Sequence, residues 1–284
     1  MRFTHVGVVG SGIMAAGIAE VCAGAGARVT VRSRTPHAAE ALGDALARSL
    51  DRQVAKSLRD ADSAAALRAR VTATTSFEDL AECDLVIESV VEEMSVKREI
   101  FDELDRVVDR AAVLATNTST LSVIDLAMET SRPDQVCGLH FFNPAPVMTL
   151  VEVVRPLSAS DATIDAVVDF ARACGKEPVV VADRAGFVVN ALLFPYLNHA
   201  VGLLEAGVAS KEGIDAAMTG GCGFPMGPFA LLDLVGLDTS VAILEALHRE
   251  YAEPRYAPAP LLRRMVSAGR LGRKTGAGFY DYRR

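Results

Sequence analysis

Closely spaced cysteine pairs are missing from this sequence. Its five cysteines, Cys22, Cys83, Cys137, Cys174 and Cys222, are scattered, odd in number and form no CxxC pair. That argues against both a zinc site and a disulfide framework, so no metal is expected. Such thiols are expected as small buried hydrophobes in a reducing compartment. An excess of basic residues is missing too: 29 Lys and Arg face 36 Asp and Glu, a net charge of −7. A nucleic-acid partner would want a basic face, so none is expected. No uninterrupted apolar run is long enough to cross a bilayer. The N-terminus enters a strand pattern with no basic segment, apolar run and cleavage site before it, so no secretory leader is expected. These absences point to the cytoplasm and away from the membrane. Neither an internal repeat nor a low-complexity linker is visible, although Ala61–Ala69 is Ala-rich.

What is present is ample apolar material. Half of the 284 residues are hydrophobic, enough for one large core or two ordinary ones. Short β-branched runs alternate with Ala- and Leu-rich stretches in the first part. Strands are predicted at His5–Val9, Arg28–Arg32, Arg70–Thr74, Asp84–Ser89 and Ala112–Thr116, then at Val136–His140, Leu150–Val154 and Pro178–Ala182. This alternation means βαβ units and a largely parallel sheet. From Phe187 onward only helices are predicted: Phe187–Ala206, Ser210–Thr219, Pro228–Val235, Asp238–Tyr251 and Pro260–Ala268. Gly207, Gly236 and Gly269 sit where helices should stop. The expected plan is an α/β domain over residues 1–185 and an all-helical domain over 186–284.

The first predicted strand runs into Gly10-Ser11-Gly12-Ile13-Met14-Ala15, a G-x-G-x-x-A turn that opens a helix over Met14–Ala25. Gly10 permits the tight turn, Gly12 lets backbone approach a pyrophosphate, and Ala15 permits close helix–strand packing. The helix N-terminus offers free N–H groups to phosphate. Strand, turn and helix in this order are the context that turns a weak motif into a dinucleotide site of Rossmann type. A Gly-rich turn with no ligand is the alternative. An acidic residue usually follows at the end of the second strand, roughly 20 residues on, to bond ribose hydroxyls. This chain has Ser33 and Arg34 there. A carboxylate would repel a 2′-phosphate, whereas Ser and Arg would accept one, and Arg can stack on adenine. NADP is therefore expected over NAD. The alternative is an exposed loop arginine with NAD still bound.

Ligands of open α/β sheets sit beyond the carboxyl ends of strands. Glu88 and Glu92 follow the fourth strand, Asn117, Thr118 and Ser119 the fifth, and His140 to Pro144 the sixth, while the seventh carries Glu152. Of five histidines, only His140 ends an apolar strand in the first domain. An imidazole has the near-neutral pKa that a base for a hydroxyl proton needs. Its second nitrogen wants an orienting carboxylate. Glu152 is a charge inside the apolar run Leu150–Val154, and such a charge usually has a partner. By spacing alone, a core histidine bonded to backbone with Glu152 facing solvent fits equally well.

Taken together, these segments resemble the 3-hydroxyacyl-CoA dehydrogenases, in particular the short bacterial 3-hydroxybutyryl-CoA type, essentially end to end. The marks are Gly10–Ala15, Asn117-Thr118-Ser119-Thr120, Gly138 to Pro146 with its His-Phe-Phe-Asn-Pro core, Gly186-Phe187-Val188-Val189-Asn190, Pro225-Met226-Gly227-Pro228 and Leu271 to Gly276. The resemblance implies that His140 is the base and Glu152 its orienting partner. It implies that Ser119 contacts substrate and nicotinamide, and that Asn190 lies near the substrate carbonyl. Glu92, Lys97, Asn117 and Asn143 fall where the family contacts the cofactor, and Lys274 could reach the same cleft. Solvated surface lysines are the alternative for Lys97 and Lys274. The implied reaction interconverts (S)-3-hydroxyacyl-CoA and 3-ketoacyl-CoA, and the implied assembly is a homodimer. Arg48, Arg52 and Lys56 recur at i, i+4 and i+8 on one helical face. They could meet the phosphates of CoA or phosphopantetheine, or form an exposed basic stripe.

The sequence departs from the family at Ser33-Arg34, at Ala185 in place of a usual proline, and at Ala191, where many members carry Arg. Two other readings follow: a dehydrogenase of acyl-carrier-protein thioesters, and a non-catalytic dinucleotide-binding protein. The lysine-based β-hydroxyacid dehydrogenases share the two-domain plan but place a catalytic Lys in the first helix of the second domain. Phe187–Ala206 contains none.

Overall fold

The structure, a computed structural model, describes residues 2–283. Its first unit ends at Asp183 and its second begins at Arg184. Eight strands form one sheet in the first unit: β1 (His5–Val9), β2 (Arg28–Arg32), β3 (Val71–Thr74), β4 (Leu85–Glu88), β5 (Val113–Thr116), β6 (Val136–Phe141), β7 (Leu150–Arg155) and β8 (Glu177–Ala182). Their spatial order is β3-β2-β1-β4-β5-β6-β7-β8. The chain reverses its direction of travel between β1 and β4, and such a switch opens a crevice beyond the strand ends. β1, β4, β5 and β6 are buried along their whole length, as central strands covered on both faces must be.

Six helices accompany the sheet: α1 (Ile13–Gly24), α2 (Pro36–Ala55), α3 (Ala61–Ala69), α4 (Met94–Val107), α5 (Val123–Ala127) and α6 (Asp161–Ala173). α2 starts where Thr35 accepts the Ala38 N–H and Pro36 takes the first turn. It buries Leu42, Leu46 and Leu50, spaced by four, against the core. Each such side chain contributes roughly 1.5–3 kcal/mol. Arg48, Arg52 and Lys56 are left exposed on another face of the same segment.

β7 pairs antiparallel with β6, and β8 is parallel to β7. The carboxyl-end grouping read from the sequence therefore does not hold for the seventh strand. Glu152 lies near the start of β7, and only the reversed direction brings it beside the end of β6. The register pairs His140 directly with Glu152, so both side chains leave the same face of the sheet.

The second unit is built from α7 (Val189–Glu205), α8 (Lys211–Cys222), α9 (Pro228–Val235), α10 (Leu237–Tyr251) and α11 (Pro260–Ser267). Phe194, Leu197, Phe229, Leu232, Leu244 and Leu262 form its core. α7 starts two residues later than the sequence pattern suggests. Gly186 and Phe187 have φ of 75° and 46°, which no right-handed helix includes.

Cys22, Cys83 and Cys137 are buried, whereas Cys174 is half-buried and Cys222 exposed, so the expectation of uniformly buried thiols fails for two. Burial pushes the Cys83 and Cys137 thiols up to about 12.

At the opposite end of the sheet, His5 accepts or donates at Thr30 Oγ1 over 2.9 Å, with the Arg28 guanidinium 2.7 Å from its other nitrogen. Burial, then Arg28, holds this imidazole below the usual 6.5, against the pull of the Glu82 carbonyl, Asp84 and Glu82. The unfolded chain thus binds the His5 proton more readily than the folded one. The contribution to stability is complete above 6.5 and is lost as pH falls through the lower folded value. The melting temperature of wild type is expected to drop more between pH 7 and pH 5 than that of His5→Gln. Parallel melting curves for the two proteins would contradict this.

Candidate active site

The dinucleotide turn has the shape its residues predict. Gly10 has φ 142°, and a Cβ there would stand 2.3 Å from the Ser89 carbonyl oxygen. Gly12 caps α1 with no side-chain bond, the first turn carries no acid, and a Cβ on Gly12 would meet nothing within 4 Å. Ala15 is fully buried beneath. Ser11 is exposed, Ile13 is 79% exposed and Met14 half-buried. An uncapped, unobstructed helix N-terminus without a negative charge fits a pyrophosphate.

The end of β2 departs from expectation at one residue. Ser33 is fully buried, and its Oγ has no hydrogen-bond partner. Its backbone N–H bonds Thr74 O, which draws the residue into the sheet and leaves the hydroxyl, expected at the ribose, buried without a protein partner. Arg34 is exposed. The Arg32 guanidinium lies 3.9 Å over the Phe77 ring while its Nε donates to Thr75 O. Burial and the neighbouring Arg34 lower the Arg32 pKa against the pull of Glu103.

At the end of β6, His140 Nδ1 is 2.8 Å from Glu152 Oε2 and His140 Nε2 is 3.1 Å from Ser119 Oγ. His140 is 4% exposed and Glu152 1%. A carboxylate only accepts, so the imidazole proton sits on Nδ1 and Nε2 presents a lone pair toward Ser119. The Phe142 ring packs 4.5 Å from the imidazole. Asn117 Oδ1 accepts the Phe141 N–H at 2.8 Å, tying the loop after β5 to the end of β6.

The loop carrying Ser119 hangs on Glu92. Its Oε1 accepts from Thr118 Oγ1 (2.6 Å) and from the N–H groups of Ser119 (2.7 Å) and Thr120 (3.0 Å). Lys97, expected at the cofactor, is instead wholly buried, with its ammonium 2.8 Å from Glu88 and 3.5 Å from Glu92. Its burial overturns the solvated alternative, and its ammonium is engaged by the two carboxylates. Lys97, Phe101 and Leu104 form the inward face of α4.

Asn143, Arg48, Arg52 and Lys56 line one cavity of about 590 Å³, together with Ile13 and Glu20. The basic stripe and the turn after His140 thus share a concavity next to the first residue of α1. Lys176 fixes that turn: its ammonium donates to Ala145 O and Met148 O, each at 2.7 Å, and burial pushes its pKa down. Two predicted residues belong to the second unit. Asn190 is the buried second residue of α7. Lys274 pairs with Asp238 at 2.6 Å, so its ammonium is engaged within that unit.

Sequence reasoning placed Glu88 in the strand-end cluster without giving it a role, and missed Arg32 and Lys176. Glu88 had a readable signal, since it is a charge closing an apolar strand, the same argument that singled out Glu152. Lys97 was legible as buried from its place at i of an i, i+4, i+7 apolar pattern. Lys176 has no local signal, because its partners lie about 30 residues away and meet it only in the fold.

The sequence model described as "3-hydroxyacyl-CoA dehydrogenase, NAD binding domain" matches residues 5–184, and that described as "3-hydroxyacyl-CoA dehydrogenase, C-terminal domain" matches residues 186–282. The chain is 49% identical to a 3-hydroxybutyryl-CoA dehydrogenase of Mycobacterium tuberculosis, over 98% of both chains. It is 45% identical to one of Clostridioides difficile, over 97% of this chain and 98% of the other. The crystal structure of (S)-3-hydroxybutyryl-CoA dehydrogenase from Ralstonia eutropha superposes with a TM-score of 0.96 at 44% identity, covering 99% of this chain and 100% of that one. With both halves matched and relatives aligned along the full length, the chain belongs to the 3-hydroxyacyl-CoA dehydrogenase family.

Proposed function

We propose that this enzyme interconverts (S)-3-hydroxybutyryl-CoA and acetoacetyl-CoA with a nicotinamide cofactor. The observation that carries the reading is His140 held between Glu152 and Ser119, on the sheet edge that also bears the Gly10–Gly12 turn. His140 Nε2 takes the proton of the C3 hydroxyl as the alcohol is oxidised and returns it to the C3 oxygen in reduction. Glu152 holds the imidazole in the Nδ1–H form and stabilises the cation that develops. The Ser119 hydroxyl, donated to Nε2 in the resting site, is displaced onto the substrate oxygen when Nε2 engages it. A bound nicotinamide supplies the redox partner for C3. The open N-terminus of α1 would receive its pyrophosphate, with Asn143 and Glu92 along the same edge. Arg48, Arg52 and Lys56 supply cations for the CoA phosphates. Asn190 serves the substrate carbonyl, as the family resemblance implies.

NADP is the proposed cofactor. Residues 28–39 contain no Asp or Glu, and Arg34 stands exposed beside the stacked Arg32. Reduction of acetoacetyl-CoA is expected, with higher kcat/KM for NADPH than for NADH. Arg34→Asp is expected to shift that ratio about 10- to 100-fold toward NADH, the worth of one charge-assisted hydrogen bond. Inactivity on acetoacetyl-CoA with both cofactors defeats the reading, and a wild-type preference for NADH defeats its cofactor half. Running the acyl-carrier-protein thioester beside the CoA ester tests the carrier-protein alternative, which is supported if the CoA ester is the poorer substrate.

A cytoplasmic homodimer is proposed, as the family resemblance implies. Among the described residues no helix is long and apolar enough to cross a membrane. Leu192, Val208, Phe224 and Leu234 are exposed on the second unit, apolar surface of the kind that oligomers cover. Light scattering at the mass of a single 30.1 kDa chain would exclude the dimer.

A further inference from the structure

Glu88 closes β4 and is fully buried. Its carboxylate accepts the Val90 N–H at 2.6 Å, the Thr116 hydroxyl at 2.7 Å and the Lys97 ammonium at 2.8 and 2.9 Å. A buried ion pair is weak as a device for stability, since an apolar pair of the same size would often do as well. What it does supply is a fixed position for a charge. Lys97 stands between two carboxylates: it touches Glu88 and stays 3.5 Å from Glu92. Glu92 keeps its other oxygen for Thr118, Ser119 and Thr120. Ser119 in turn reaches His140 Nε2.

We propose that Glu88 is a positioning residue for the proton relay: it holds Lys97 back from Glu92, and so leaves Glu92 free to hold the Ser119 loop against His140. This rests on the reading of His140 and Ser119 given above. Without the Glu88 charge, the buried ammonium has one carboxylate within reach. It closes on Glu92 and draws that side chain off the Ser119 and Thr120 amides. The Ser119 hydroxyl then leaves Nε2. A carboxamide at position 88 keeps a single acceptor oxygen for the Val90 N–H and the Thr116 hydroxyl together, which loosens the end of β4 or of β5, from which the loop departs. A displacement of about 1 Å at a reacting group can lower a rate by roughly 100-fold.

The test is a double-mutant cycle on the full-length enzyme with saturating cofactor, read together with the His140 imidazole ¹⁵N resonances. Glu88→Gln is expected to lower kcat about 10- to 100-fold. In a Ser119→Ala background the same change is expected to lower it less than about threefold, because the path to His140 is already cut. In Glu88→Gln the His140 Nε2 resonance moves while Nδ1, held by Glu152, stays. Should Glu88→Gln not fold, Glu88→Asp keeps the charge on a shorter stem and is expected to give a smaller change in the same direction. Losses that multiply across the cycle overturn the proposal, because they mean a general structural role. An unmoved Nε2 resonance in a folded variant overturns it independently of turnover. Inactive wild type with a shifted Nε2 resonance sinks the enzymatic reading and supports the coupling.

Discussion

His140→Asn is expected to lower kcat for acetoacetyl-CoA reduction by about 10²- to 10⁴-fold while leaving cofactor affinity unchanged. The size of the loss follows from the proposed role of the imidazole, that of a positioned acid and base. Asn is preferred to Ala because its amide N–H takes the place of Nδ1–H toward Glu152, which is 1% exposed. Deleting the imidazole outright would break a buried ion pair, a change that costs about 3–5 kcal/mol and would confuse folding with catalysis. The cofactor site is spared because the Gly10–Gly12 turn belongs to β1 and α1 and makes no hydrogen bond to His140 among the described residues. Steady-state rates and cofactor titration by fluorescence, both below the melting temperature of the variant, check the prediction. A folded His140→Asn enzyme with near-normal kcat would remove the imidazole from the mechanism.

Much of this site was legible in the sequence because its chemistry conflicts with its surroundings. A glutamate inside Leu150–Val154 and a histidine closing an apolar strand are anomalies that a local pattern exposes. Their partnership was not legible from spacing, because it depends on β7 running antiparallel to β6. Had β7 been parallel like its predecessors, Glu152 would have sat at the far side of the strand from His140. The sheet itself was readable strand by strand, since continuous apolar runs mark buried parallel strands. Ser33 and Lys97 show the limit from the other side. Ser33 was assigned a ligand by its spacing from the glycine turn and Lys97 by the family resemblance, and both are turned inward by contacts from elsewhere: Thr74 for the Ser33 backbone, Glu88 for Lys97. Polar residues at strand ends divide into those that face a ligand and those that hold the first group in place. Only the folded hydrogen-bond network separates them.

That division gives Glu152→Gln its diagnostic value. The substitution is nearly isosteric, so the fold and the substrate cavity should persist. Yet kcat is expected to fall by about 10²- to 10⁴-fold, as when the carboxylate behind a catalytic imidazole is neutralised. Two effects combine. The carboxamide can turn its N–H toward Nδ1, which forces the imidazole proton onto Nε2 and removes the base. If it turns its oxygen instead, the developing imidazolium faces a dipole where the wild type offers a full negative charge in a site that is closed to solvent. On the proposed relay, in which Glu152 acts through His140, the His140→Asn/Glu152→Gln enzyme should be no slower than His140→Asn alone, the non-additivity of residues that work as a unit. Single and double variants assayed side by side, with melting temperatures recorded for each, read this directly. Independent losses that sum in the double variant would mean that Glu152 touches the reaction by a route other than the imidazole, and the relay from Glu152 to His140 would have to be abandoned.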